Sequence, residues 1–116
     1  MSPRATVGRL HTKQEFRRAL DGRRAQNRLL AARAFQRETG DWPDIRLSVV
    51  LPRRMAKAVA RNRLRRRIRE ACRLTEGKQG CWDVVVLPRA ACPEAKYEEI
   101  RGAVGDVLKR LGICPG

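Results

Sequence analysis

The sequence predicts a mixed α/β (α+β) fold: a single domain over residues 1–116, built as a two-layer sandwich of about four strands and three helices in the order αβββαβα. Three observations predict it. Two short runs rich in β-branched and aliphatic residues, IRLSVVL at 45–51 and WDVVVL at 82–87, are each followed by a proline, which cannot donate to a strand ladder. Between them, residues 57–74 place apolar side chains at helical spacing, and residues 97–111 do so after the second run. One-sided helices with so few strands pack economically as a sheet layered with helices, one sheet face covered and the other partly open.

Residues 1–11 read as a flexible basic lead-in and 113–116 as a flexible end. In TKQEFRRALDG, Thr12 and Glu15 have the spacing of a capping box, and Gly22 is placed to close the helix with positive φ. Phe16, Ala19 and Leu20 share one face of that helix. RLLAARAF at 28–35 is short and flanked by turn-like residues, which favours a strand over a helix. ETGDWPD at 38–44 reads as a turn around Gly40 and Pro43. After the 45–51 strand comes the helix from Lys57 to about Leu74. Ala60, Leu64, Ile68, Ala71 and Cys72 fall within a third of its wheel, and Arg61, Arg65, Arg69 and Arg73 step along the edge of that arc. Residues 76–80 form a loop before the 82–87 strand. Cys92-Pro93-Glu94 reads as the start of the last helix, whose inner face is Tyr97, Ile100, Val104, Val107, Leu108 and Leu111, ended by Gly112. Gly102 and Gly105 either weaken that helix or permit close packing.

Charge points to the partner. Lys and Arg number 27 against 12 Asp and Glu, a formal +15, and such self-repulsion calls for a polyanion. The cations concentrate at Arg53, Arg54, Lys57, Arg61, Arg63, Arg65, Arg66, Arg67, Arg69 and Arg73, ten charges opposed within that span by Glu70 alone. A solvated helix face carries mixed signs in i,i+4 pairs, whereas here like charges sit four apart and weaken the free helix. A membrane-surface helix would show Trp or Phe on its apolar side, and this one has small and aliphatic residues. No apolar run has the length of a membrane span and the N-terminus lacks a signal-peptide core, so a cytoplasmic protein is expected. Cys72, Cys81, Cys92 and Cys114 lack CxxC spacing and neighbouring histidines. They read as free thiols, three in the core and one near the end, rather than zinc ligands.

Protein-borne catalysis finds no support. The one histidine, His11, has nothing to position it as a base. Ser2 and Ser48 lack a nucleophile-elbow context, and neither a phosphate loop nor a metal-binding motif is present. Of the five aromatics, Phe35, Trp42, Trp82 and Tyr97 read as core. Phe16, flanked by Arg17 and Arg18, is the best candidate to stack a single-stranded base. A general or ribosomal RNA-binding protein would explain the charge equally well; a DNA-binding regulator is disfavoured because no helix-turn-helix pair is visible.

KAVARNRLRRRIREACRL, Lys57 to Leu74, resembles the signature helix of the bacterial ribonuclease P protein subunit, with its core at Arg61-Asn62-Arg63, then Arg65-Arg66 and Arg69-Glu70. Arg53 and Arg54 stand where that family carries a basic pair. RLHTKQEFRRAL resembles the family's opening segment, and VVVLPRA the strand after the basic helix. The resemblance implies a sandwich with a left-handed βαβ crossover, against the usual hand. It implies binding to a large catalytic RNA, one protein per RNA, and to precursor tRNA, with no membrane partner. The complex would remove the 5′ leader by Mg²⁺-assisted hydrolysis, the Mg²⁺ held mainly by the RNA, with no catalytic residue, metal ligand or organic cofactor in the protein. By position, Arg53, Arg54, Lys57, Arg61, Asn62, Arg63, Arg65, Arg66 and Arg69 would meet the catalytic RNA, Asn62 alternatively facing the cleft. Phe16, Arg17, Leu20, Arg33 and Val50 would form the leader cleft. Leu20 and Arg33 stand where the family often has aromatics, Pro52 replaces a small polar residue and Ala56 a frequent glycine. Leader binding here is therefore expected to lean less on stacking and more on charge.

Overall fold

The computed structural model describes residues 5–38 and 43–115. In chain order the elements are β1 (Val7–Arg9), α1 (Lys13–Leu20), β2 (Arg23–Gln26), β3 (Leu30–Arg37), β4 (Ile45–Val49), α2 (Ala58–Leu74), β5 (Cys81–Pro88) and α3 (Tyr97–Arg110). Short 3₁₀ turns at Arg53–Met55 and Cys92–Glu94 precede α2 and α3. The sheet has five strands rather than about four, in the order β1-β4-β5-β3-β2. The added strand is β1, inside the lead-in expected to be flexible: Val7 to Arg9 pair in parallel with Ile45 to Leu47. At the other end, Ile113, the first residue of the end expected to be flexible, is fully buried and so anchored. Most of the expected 38–44 turn, including Gly40 and Trp42, lies outside the described residues.

β3 is antiparallel to β5 and β2, while β4 and β5 run parallel, joined through α2. This β4–α2–β5 unit is the crossover for which the family resemblance predicts a left hand. Side chains alternate along each strand. Leu30, Ala32, Ala34, Ile45, Leu47, Val49, Trp82, Val84 and Val86 therefore face one way, where they form the core with Leu64, Ile68, Ala71 and Cys72 of α2 and Ile100, Val104, Val107 and Leu108 of α3. Fully burying one of the Val, Leu or Ile side chains among these contributes about 1.5–3 kcal/mol, so this layer holds the fold together.

α1 lies on the opposite face. Its residues meet the other side-chain set of the strands: Arg33 Nη1 donates to the Leu20 carbonyl at 2.9 Å, Arg18 lies over the Phe35 ring at 5.1 Å, and Arg46 pairs with Glu15 at 2.6 Å. The helix begins at Thr12 with the expected capping box: Thr12 Oγ1 accepts from the Glu15 N–H, and Glu15 Oε1 accepts from the Thr12 N–H, both at 3.1 Å. Gly22 does not take positive φ; that conformation is found at Gly77, Gly80 and Gly112. It is needed for closeness instead, because a Cβ there would collide with the Ala34 carbonyl. Gly102 and Gly105 show the reverse: a Cβ at either would meet nothing within 4 Å, so they are not there for close packing.

Of the cysteines, Cys72 and Cys92 are buried while Cys81 and Cys114 are half-buried, and all four are free. Burial pushes the Cys72 and Cys92 thiols up to about 11, which makes them poor nucleophiles. Among the described residues no helix is long and apolar enough to cross a membrane.

Candidate RNA-binding surface

α2 is held by its C-terminal two-thirds. Leu64, Ile68, Ala71 and Cys72 are buried, whereas Ala60, expected on the apolar arc, and Val59 are exposed. The first turn and a half therefore stands clear of the core and carries Asn62 and Arg63 into solvent. Lys78 Nζ closes the other end, donating to the carbonyls of Arg73 and Thr75, where a cation also suits the helix dipole.

The cations divide by what they touch. Arg53, Arg54, Lys57, Arg63 and Arg66 are exposed and reach solvent around the start of α2. Arg61 is half-buried, and its Nη1 donates to the carbonyls of Arg53 at 2.9 Å and Ala56 at 2.7 Å. It fastens the preceding 3₁₀ turn to the helix and so sets where Arg53 and Arg54 stand. Asn62 is exposed; its Oδ1 accepts from Arg65 Nη1 at 3.2 Å, so it orients that guanidinium. Arg69 leans over the sheet edge, its Nη1 3.3 Å from the Leu47 carbonyl. Burial, and then the Arg9 charge, push its pKa below the ordinary arginine value. Arg73 pairs with Glu70 at 2.6 Å, which neutralises the one acid of the segment. Arg9, Arg66, Arg69 and Arg73 surround a groove of about 290 Å³. Reading the sequence missed Arg9, because its place beside α2 depends on β1.

The expected leader-cleft residues all belong to the outer face of the sheet or to α1 above it. Half-buried Phe16 and exposed Arg17 line a groove of about 290 Å³ with Leu10, His11, Thr12, Lys13 and Ser48. Leu20 and Arg33 meet at the far end of α1, where the Arg33 guanidinium binds the helix's C-terminal carbonyl instead of offering a stacking plane. Val50 is half-buried one residue beyond β4. The chain passes from Val50 to Arg53 in three residues, so the cleft and the α2 cations meet at the β4–α2 junction. Lys13, His11 and Ser48 were not anticipated in the groove. Alternation in IRLSVVL was the available signal for Ser48.

A buried ionic network seats α1. Asp83, fully buried on β5, accepts from Arg46 Nε at 2.6 Å and Nη2 at 2.8 Å, and Arg37 Nε lies 3.1 Å away. Arg46 also reaches Glu15 at 2.6 Å. Burial pushes the Glu15 carboxyl up, but the backbone N–H groups of His11 and Thr12 and the Arg46 charge outweigh it and hold the group below its ordinary value.

A basic helix docked on a five-stranded sheet, with a second helix over the opposite face, now stands beside known proteins. The family model described as Ribonuclease P matches residues 5–112. The chain belongs to the ribonuclease P protein family. Curated ribonuclease P protein components agree: that of Herpetosiphon aurantiacus is 31% identical over 106 residues, covering 90% of this chain and 85% of the relative. That of Symbiobacterium thermophilum is 33% identical over 94 residues, covering 79% of each. The RNase P protein from Thermotoga maritima is similar in structure, with TM-score 0.76 and 28% identity over 88% of this chain and 96% of the other. The Staphylococcus aureus RNase P protein shares the fold at TM-score 0.80 with 22% identity, covering 92% and 97%. Membership makes this chain a ribonuclease P protein component, a partner of ribonuclease P RNA in a tRNA-processing ribonucleoprotein.

Proposed function

We propose that this chain, acting as one domain in the cytoplasm, binds the catalytic RNA of ribonuclease P and the 5′ leader of precursor tRNA, assisting endonucleolytic removal of the leader. The observation that carries the proposal is the arginine surface of α2, anchored by Leu64 and Ile68 and neutralised along its length by Glu70 alone. Arg53, Arg54, Lys57, Arg63 and Arg66 supply charge for RNA phosphates, each neutralised phosphate releasing counterions. Arg61 and Asn62 hold their neighbours in place, and Arg65 and Arg69 extend the surface toward the sheet.

Phe16 and Arg17 receive the single-stranded leader in the groove beside Ser48, a ring for a base and a cation for the backbone. Val50, Leu20 and Arg33 continue that surface around α1. The hydrolytic chemistry belongs to the RNA and its Mg²⁺. This chain's part is to bind and to orient. One protein per RNA suits a single basic helix surface.

The test is cleavage of precursor tRNA by the matching catalytic RNA across a Mg²⁺ series, with and without the protein. The protein should lower the Mg²⁺ and salt requirement; no binding to that RNA and no such shift would refute the proposal. Phe16→Ala should leave catalytic-RNA binding intact and reduce the preference for leader-bearing over mature tRNA. Equal losses for both ligands would make Phe16 a packing residue only.

A further inference from the structure

On the outer sheet face the strand register draws two rows. One runs Ser48, Val85, Arg33, Arg24; the next runs Leu87, Ala31, Gln26, with Val50 at its head one residue beyond β4, its N–H donating to the Val86 carbonyl at 2.9 Å. α1 covers the first row at Val85, which is fully buried. The second row is open: Val50, Leu87 and Ala31 are half-buried and Gln26 is exposed. It forms an uncovered strip from the leader cleft to the β2 edge, about 14 Å across at the usual strand spacing.

The strip ends in a groove of about 530 Å³ lined by Arg24, Ala25, Gln26, Ala31, Ala32 and Arg33, and by Arg110 of α3. Of the described residues lining it none is acidic. Arg24 and Arg33 are directly opposite on paired strands, and like charges so placed destabilise a sheet. Charge on an edge strand also deters strand-to-strand association. That role needs neither the concavity nor the convergence of cations from β2, β3 and α3.

We infer that this groove is a phosphate site for the distal part of the same single-stranded leader, which crosses the open row from Val50 and ends against Arg24 and Arg110. The inference rests on the leader-cleft reading. The strip offers apolar and small side chains for bases to lie against, without an aromatic platform, and the groove at its end offers cations to the backbone, so the contact leans on charge, as a basic groove that tracks a single strand does. Arg33 already donates to Leu20 and Arg110 already pairs with Asp106, so Arg24 is the residue most available to a ligand.

The experiment measures holoenzyme affinity for precursor tRNAs whose leaders are shortened one nucleotide at a time, with the unaltered protein, Arg24→Gln and Arg24→Lys. Arg24→Gln should weaken binding about fivefold, the upper range for an exposed ion pair, and only for leaders long enough to reach the β2 edge. For those leaders the salt slope should fall by about 0.7, one single-strand phosphate contact. Arg24→Lys should restore most of both. An equal effect on short and long leaders, loss of catalytic-RNA affinity instead, or no effect would overturn the inference. Phe16→Ala in the same series separates the two readings. If Phe16→Ala lowers the preference for leader-bearing over mature tRNA while the effect of Arg24→Gln does not depend on leader length, the cleft stands and the distal site falls.

Discussion

Replacing Arg46 with alanine tests how α1 is held over the sheet. Asp83 is fully buried and receives two bonds from Arg46, at 2.6 and 2.8 Å, while Arg46 also binds Glu15 at 2.6 Å. Breaking a buried ion pair from one side costs about 3–5 kcal/mol, because the remaining charge stays desolvated. Arg37, 3.1 Å from Asp83, continues to neutralise it, which places the expected loss near about 3 kcal/mol. With a urea m-value of about 1.5 kcal/mol/M, the unfolding midpoint should fall by about 2 M. The double variant Arg46→Ala/Asp83→Ala should cost less than the sum of the singles by about 2 kcal/mol, since the two charges that face each other are removed together, while Arg37 and Glu15 each lose one partner. Because the network seats α1, Arg46→Ala should also weaken leader recognition at temperatures where the protein is still folded, while sparing catalytic-RNA affinity. A midpoint shift under about 0.5 M, or strict additivity, would show that the network is incidental to stability.

Arg63→Ala with Arg66→Ala, both exposed, should flatten the salt dependence of catalytic-RNA binding by about 2 and leave the urea midpoint unchanged; an unaltered slope would mean that neither meets phosphate. Gly102→Ala should stabilise α3 by about 0.5–1 kcal/mol, while Gly22→Ala should destabilise by about 1–3 kcal/mol as its methyl forces β3 away, and thermal melts of the two should move in opposite directions. Glu15 has a depressed folded-state pKa, so its contribution is present above its unfolded value and lost as pH falls through the lower folded value. Glu15→Gln should therefore lose stability at neutral pH and show a shallower decline below about pH 4.3, read from urea midpoints across acid pH.

The elements that periodicity marks clearly were legible in the sequence. α2 and β5 lie within a residue or so of their expected bounds, because a long amphipathic repeat and a run of valines each admit one solution. β1 was not legible: three residues including a glycine, paired in parallel with a strand far along the chain, carry no local pattern. β2, RRAQ, is counted in the expected order of elements, but its residues could not be placed, because two arginines and a glutamine carry no apolar alternation. The side of the sheet taken by α1 could not be read from Phe16, Ala19 and Leu20, because what seats the helix is the polar pair Glu15–Arg46. One signal was available: a lone acid, Asp83, inside WDVVVL demands a buried cation. The cations of α2 were legible as a set, but their division into solvent-facing residues and backbone-holding Arg61 required the 3₁₀ turn to be seen.

The bonds from Arg61 to the carbonyls of Arg53 and Ala56 mean that one charge of the grip is committed to protein rather than to RNA. What it gives in return is rigidity. The Arg53–Met55 turn buries none of its own residues, and a free loop there would lose conformational freedom when RNA arrived. Fastened in advance, it meets the nucleic acid already in shape, so part of the ordering cost falls on folding rather than on association. Affinity at this junction is therefore set as much by how still the protein is beforehand as by how many phosphates it touches.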